Sequence, residues 1–297
     1  MGPHRLALLC ACTVLGMASF AQSGTGEAVR PLVGDAYVIG GAVYSASVPL
    51  GLADWKAVLP DSRLLQKVDP NAPGADYNYY LPEYQSATGM FEMGVGLDLG
   101  RKRPQQAKVR QQLRISATYV GADELTDAWR RSLTGPYDTL VSQQTGEEIL
   151  FDTTWSERTV VSARFSRIGI AATYLLIGNN ASRWKWNIGA GGSLGTTLNV
   201  QGNVDRFAGS GNRPYDQYYY GVQLVESESF RIGSSIWGSV HGVFGLDYRL
   251  SKAHPFWSTL NLHYELRPAI QFGSVPGADG YAYGTVQQLF GLRIDLR

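Results

Sequence analysis

Ser239, His241, His263 and Glu265 carry the side chains from which acyl hydrolysis is built. A serine hydroxyl attacks once a histidine accepts its proton, and a carboxylate holds that histidine in place. Ser239 and His241 stand two residues apart, as do His263 and Glu265, so in extended chain each pair projects from one face. Neighbouring strands would bring nucleophile, base and carboxylate together. The competing reading is that polar residues fill any strand face turned away from hydrocarbon. It is preferred, because a lipid-cleaving site must open toward the bilayer, and the four residues remain the catalytic alternative. The other histidine outside the leader, His254, falls in a turn.

The strands that must position these residues run from Ser229 to Gln271, joined by the turn Ser251-Lys252-Ala253-His254-Pro255. On the first, Phe230, Ile232, Ile236, Val240, Phe244, Leu246 and Tyr248 form an apolar face, opposite Arg231, Ser235, Ser239, His241, Asp247 and Arg249. On the second, Phe256, Leu260, Leu262, Tyr264 and Leu266 face away from Thr259, Asn261, His263, Glu265 and Arg267. A period of two marks strands. About twenty residues at roughly 3.3 Å each reach roughly 65 Å, beyond the usual strand of a soluble domain. The wall of a barrel crossing a membrane accommodates that length.

Met1 to Arg5 is a short basic start, Leu6 to Met17 an apolar run, and Ala18-Ser19-Phe20-Ala21 offers small residues for cleavage before Gln22. Residues 1–21 therefore read as a secretory signal peptide and 22–297 as one outer-membrane β-barrel domain. A spanning helix needs about twenty apolar residues, more than this run supplies. Both cysteines, Cys10 and Cys12, fall in the leader, which excludes disulfides and cysteine-held metals from the mature chain. Losing Arg5 lowers Lys+Arg from 26 to 25 against 25 acidic residues. A neutral chain gives no broad basic patch, so nucleic acid is not an expected partner. No later apolar run can form a spanning helix, so a membrane crossing has to be a closed barrel.

In chain order, the spacing predicts strands over 35–47, 88–100, 109–119, 159–177 and 184–199, the hairpin just described, and a last strand ending the chain. A short helix is predicted over Leu52–Leu59 within a long polar loop. In the fourth strand the apolar residues change parity, from Val161, Ala163 and Phe165 to Ile168, Ile170, Tyr174 and Leu176, which predicts a β-bulge near Ser166-Arg167. Leu140 to Phe151 reads as a small hairpin turning at Thr145-Gly146. The connections alternate long and short, as in outer-membrane barrels with short periplasmic turns, longer outer loops and both termini periplasmic. The fold expected is an all-β, transmembrane, antiparallel up-and-down β-barrel of about eight strands with long extracellular loops.

Alternation alone does not decide which face meets lipid, and a lipocalin-like secreted barrel is the competing form. Charges on the polar face favour an apolar exterior, because the dry centre of a soluble barrel would leave them uncompensated. Glycines sharing that face suit a crowded lumen, and Trp184, Trp186, Phe256 and Trp257 at one rim, with Tyr119 and Phe230 at the other, suit interfacial girdles. Leu262 and Ile294 are expected near the bilayer midplane. The lumen charges expected are Glu92, Asp98, Arg110, Arg114, Asp247, Glu265, Arg267, Arg293 and Asp295. A barrel this narrow is filled by its own side chains, so paired charges are preferred over a polar pathway.

The long loops hold two tyrosine groups, Tyr77, Tyr79, Tyr80 and Tyr84 in the first, and Tyr215, Tyr218, Tyr219 and Tyr220 in the third. Tyrosine gives flat contact area with a polar tip, suited to a protein or glycan partner, and equally to ordering the loop itself. Asp123, Glu124 and Asp127 lack calcium-loop spacing and read as a solvated acidic turn, so no metal or other cofactor is expected.

The leader ending Phe20-Ala21-Gln22, the segment Arg183-Trp184-Lys185-Trp186-Asn187-Ile188-Gly189-Ala190-Gly191-Gly192-Ser193-Leu194-Gly195 and the closing Gly291-Leu292-Arg293-Ile294-Asp295-Leu296-Arg297 resemble the PorT-like outer-membrane β-barrel family of Bacteroidota. The resemblance implies a small outer-membrane barrel and no single activity. The expected function is non-enzymatic: a surface-loop binding platform or a structural component of an envelope complex. Outer-membrane lipid, other envelope proteins and surface glycans are the expected partners. A small transport barrel and a lipid-modifying enzyme are the alternatives.

Overall fold

Alternation along the chain becomes one closed antiparallel sheet in the computed structural model, which describes residues 32–45, 50–71, 86–99, 109–141, 143–146, 148–178, 182–211, 223–254, 256–277 and 280–296. The strands are β1 (Leu32–Ser45), β2 (Ser86–Asp98), β3 (Val109–Val141), β4 (Glu148–Gly178), β5 (Trp184–Gly211), β6 (Gln223–Arg231), β7 (Ile236–Arg249), β8 (Leu260–Gly273) and β9 (Tyr281–Asp295), with short helices α1 (Leu52–Val58) and α2 (Arg63–Gln66). β1 pairs with both β2 and β9, and β4 with both β3 and β5, so the sheet closes on itself. β6 pairs only with the distal part of β5, which leaves eight strands in the ring. Closure pairs the backbone along the wall, apart from a gap at Gly242 and Val243 opposite Pro268 and Arg267, and removes the open edge.

Three strands run far past the ring. β2 pairs with β3 no further than Val120, yet β3 and β4 stay paired out to Val141 and Glu148, and β5 follows β4 to Gly211. The hairpin turns at Thr145 and Gly146, and Gly146 takes a positive φ of 70°. The expected loop after Gly121 is therefore mostly strand, and with β6 it makes a sheet standing beyond one end of the barrel.

Two corrections concern how faces are assigned. β4 has no change of parity: Val161, Ala163, Phe165, Arg167, Ala171, Thr173, Leu175 and Ile177 are all buried inside, whereas Arg164, Ile168 and Ile170 are exposed. Its hydrophobic pattern inverts because its surroundings do, being apolar outside around the ring and apolar inside beneath the standing sheet. The extra residues lie in its neighbours, at Gly121-Ala122 of β3 and at Asn199 of β5, where register shifts against β4 occur. Asn199 has φ 52°, a left-handed conformation that asparagine tolerates. The second correction is the strand expected to run unbroken from Ser229, which stops at Arg231 and resumes at Ile236. Ile232 and Phe230 turn inward to pack with apolar residues of the outer sheet, so Phe230 belongs to no outer girdle.

Around the ring the outside is apolar and exposed: Met93, Ile115, Ile170, Leu194, Val240, Phe244, Ile270, Phe290 and Leu292 all face outward. On β4 this band runs from Ile168 to Leu176, about 26 Å along the strand at roughly 3.3 Å per residue. Leu262 and Ile294 also face outward but lie near the short-connection end, beside Tyr248 and Ala36, so neither occupies the middle of the band. Trp184, Trp186, Phe256 and Trp257 are exposed at that same end, and Tyr119 at the other.

Candidate functional site

Inward-facing charges arise because period two sends every second residue to the axis, where a narrow ring leaves no room for bulk water. Asp35 of β1 accepts from Arg110 Nη2 at 2.8 Å, Gln112 Nε2 at 2.6 Å and Arg293 Nε at 3.0 Å. Arg110 also pairs with Asp98, and Arg293 Nη1 donates to Asp247 Oδ2 at 2.7 Å. Asp247 holds Nδ1 of His263, whose Nε2 lies 2.6 Å from Glu265 Oε1. Glu265 takes Arg114 from across the lumen and Arg267 Nε at 2.7 Å. Arg267 then grips Glu92, which also accepts from Tyr37 Oη at 2.7 Å. One connected chain of charges thus crosses the barrel, with each of its carboxylates paired to a cation, the condition under which buried charge is tolerated.

Glycine makes room for these side chains. A Cβ on Gly96 would collide with Gln112 and Asp35, and one on Gly245 with Asn187. Above the charges lies an apolar layer of Ile39, Val43, Met90, Val120 and Leu289. Higher still, Arg167 pairs with Asp123 and Gln271, and Tyr283 donates to Gln271 Oε1 at 3.0 Å.

The mouth on the side of the standing sheet is covered by residues 50–71. Trp55 of α1 is fully buried, with Leu64, Leu65, Leu125, Trp129, Val161 and Val204 in one cluster. Its indole N–H and the backbone N–H of Leu50 both donate to Asp127 of β3, the latter at 3.0 Å. Ser62 caps α2 by accepting from Leu65 N at 3.1 Å and donates to Glu228 of β6 at 2.7 Å. The space left beside Trp129 and Arg206 is about 40 Å³, room for a water molecule.

All nine expected lumen charges face inward, and the structure joins them to Asp35, Tyr37 and Gln112, which sequence reasoning missed, as it missed the separate Asp123–Arg167 pair above the apolar layer. Asp123 and Asp127 are buried strand residues holding Arg167 and Trp55, which corrects the solvated acidic turn. The first strand's blurred pattern hid Asp35, and the supposed bulge hid Arg167. The serine and histidines are not assembled for attack. Ser239 Oγ lies 2.7 Å from Ser193 Oγ, His241 Nε2 lies 3.0 Å from Thr173 Oγ1, and among the described residues no hydrogen bond joins Ser239 to His241. His263 and Glu265 do meet, as part of the ion chain. Among the described residues no group of His, Asp and Glu is arranged to hold a metal. Tyr77, Tyr79, Tyr80, Tyr84, Tyr215, Tyr218, Tyr219 and Tyr220 lie outside the described residues, as does the leader.

Fold and interior together define a closed eight-stranded antiparallel β-barrel with a charge-filled lumen and a capped mouth. No family model and no curated protein matches the chain. Among solved structures it is similar to Neisserial surface protein A, at 12% identity over 88% of this chain and 97% of that one, with a TM-score of 0.32. It is also similar to Ail, the attachment invasion locus protein of Yersinia pestis, in complex with the heparin analogue sucrose octasulfate, at 11% identity over 89% and 100% of the two chains, TM-score 0.26. Likenesses this loose carry no weight for function, and the barrel stands on its own strand ladder.

Proposed function

We propose that this chain is a non-enzymatic outer-membrane barrel that anchors a surface platform. The observation that carries the reading is the coupling of a filled lumen to a standing sheet of β3, β4, β5 and β6 with its inner face covered by α1 and α2. The exposed apolar band supports insertion in lipid, because soluble monomers do not leave a continuous belt of this kind open to water. On this reading the short connections and both termini are periplasmic, residues 1–21 are removed on export, and the standing sheet is extracellular. The platform offers its outer face and the tyrosine-bearing loops to envelope proteins or surface glycans. Membership of the PorT-like barrels of Bacteroidota belongs to the same proposal, on the segments Arg183–Gly195 and Gly291–Arg297.

The transport alternative fits poorly with Arg114 reaching across the axis to Glu265 and with Arg267 and Arg293 filling the lumen in ion pairs. The hydrolase alternative fits poorly with Ser239 bonded to Ser193 in the lumen. Single-channel recording on the purified, folded protein tests the platform reading. No conductance steps are expected; sustained steps of uniform size would replace the platform with a pore.

A further inference from the structure

Among the described side chains, the outward face of the standing sheet carries more arginines than acids. Arg164 of β4, Gln201 of β5 and Arg231 of β6 stand in one cross-strand row and are all exposed. Adjacent strands are about 4.8 Å apart, so Arg164 and Arg231 are roughly 10 Å apart with the Gln201 amide between them. Arg130 and Arg158 are direct cross-strand partners farther out on the same face, an arrangement that is unfavourable without an anion nearby. Two acids share this face: Glu124 stands directly across from Arg164 but makes no ion pair with it, its carboxylate accepting from Thr126 Oγ1 at 3.0 Å, and Asp205 accepts from Ser227 Oγ at 2.6 Å. Among the described residues Arg164 and Arg231 form no ion pair.

Height above the apolar band decides what this row meets. Ile168 ends the band on β4, and Arg164 lies four residues before it in the chain and farther out, with Ser166 and its hydrogen-bond partner Tyr119 between. Four residues span about 13 Å along a strand, and less in height because barrel strands tilt by roughly 40°. Arginine stems lie along the wall and place their heads at the interface. The outward ends of the other strands are uncharged, with Tyr44, Ala87, Phe272 and Ala282. Among the described strand ends, outward-facing positive charge is therefore confined to one sector of the rim.

We propose that Arg164, Gln201 and Arg231 form a site for the phosphate of an anionic phosphorylated lipid in the outer leaflet, next to the barrel wall. Guanidinium forks match phosphate oxygens in pairs, and the flanking wall of Leu194, Ile168 and Ile236 receives the acyl chains. This rests on the membrane reading above.

The test places the full chain in nanodiscs of phosphatidylcholine doped with a bisphosphorylated glycolipid or with the same lipid dephosphorylated. Lipids retained after mild detergent extraction are counted by native mass spectrometry. The phosphorylated form is expected to be preferred, with the preference falling about fivefold for Arg164→Gln and again for Arg164→Gln/Arg231→Gln, while Arg164→Lys keeps part of it. Heat-modifiable mobility checks that each variant is folded. Equal retention of the two lipids, an unchanged preference in the double variant, or displacement of the lipid by excess inorganic phosphate would each overturn the site. A barrel that enters neither bilayer overturns the membrane reading as well; one that inserts without preference overturns this inference alone.

Discussion

Arg114 on β3 and Glu265 on β8 meet at the barrel axis from opposite walls, with three strands between them either way round the ring: β2, β1 and β9, or β4, β5 and β7. A salt bridge of that kind fixes the diameter as well as filling it. Neither residue has a solvated alternative, since both are essentially fully buried.

Glu265 holds Arg114, Arg267 and His263 at once. Glu265→Ala leaves Arg114 without its ion-pair partner in the lumen, while Arg267 keeps Glu92 and His263 keeps Asp247, and is expected to cost about 3–5 kcal/mol, the range for breaking a buried pair. Urea midpoints of the folded barrel in detergent check it. A loss below about 1 kcal/mol, typical of exposed pairs, would mean that the lumen is wet.

Depth in the apolar band sets the cost of a charge on the outside. Phe290 lies midway along β9 and Ile294 near the short-connection end. Phe290→Arg should cost about 2–4 kcal/mol, and Ile294→Arg only about 0–1 kcal/mol. Equilibrium folding into lipid vesicles measures both. Equal costs would remove the assigned depth.

The plug hangs on Asp127, which takes two donors from residues 50–55. Asp127→Ala is expected to expose residues 50–71 to limited proteolysis while leaving the ring folded. Protection equal to the parent's would show that the apolar cluster around Trp55 suffices alone.

Asn199 lets β5 change parity while β4 runs straight. Asn199→Val is expected to destabilise by about 1–2 kcal/mol, because a side chain branched at Cβ disfavours the left-handed conformation, whereas Asn199→Gly should be near neutral. The same denaturation experiment decides between them.

Much of the ring was legible because one rule, alternate residues to alternate faces, holds along most of its strands. β8 shows it plainly, with Asn261, His263, Glu265 and Arg267 buried and Leu262 exposed. The standing sheet was not legible by that rule, since it says which residues share a face and not what lies against it. Val161 and Ile168 are both apolar, yet one packs beneath α1 and the other faces out. The plug itself was half visible: the helix predicted over Leu52–Leu59 forms as Leu52–Val58, but nothing in its spacing revealed that Trp55 would find Asp127. The ion chain needed pairing across the barrel, which no local pattern encodes.

Nitroxide labels placed one at a time along β9, from Thr285 to Ile294, test the arrangement most directly when the protein is in bilayers. Labels at Val286, Phe290, Leu292 and Ile294 should collide with oxygen dissolved in hydrocarbon, while those at Gln287, Leu289 and Arg293 should be shielded from oxygen and from water-soluble nickel complexes alike. Strong nickel contact at Phe290 and Leu292, with oxygen contact at Gln287 and Leu289, would contradict it.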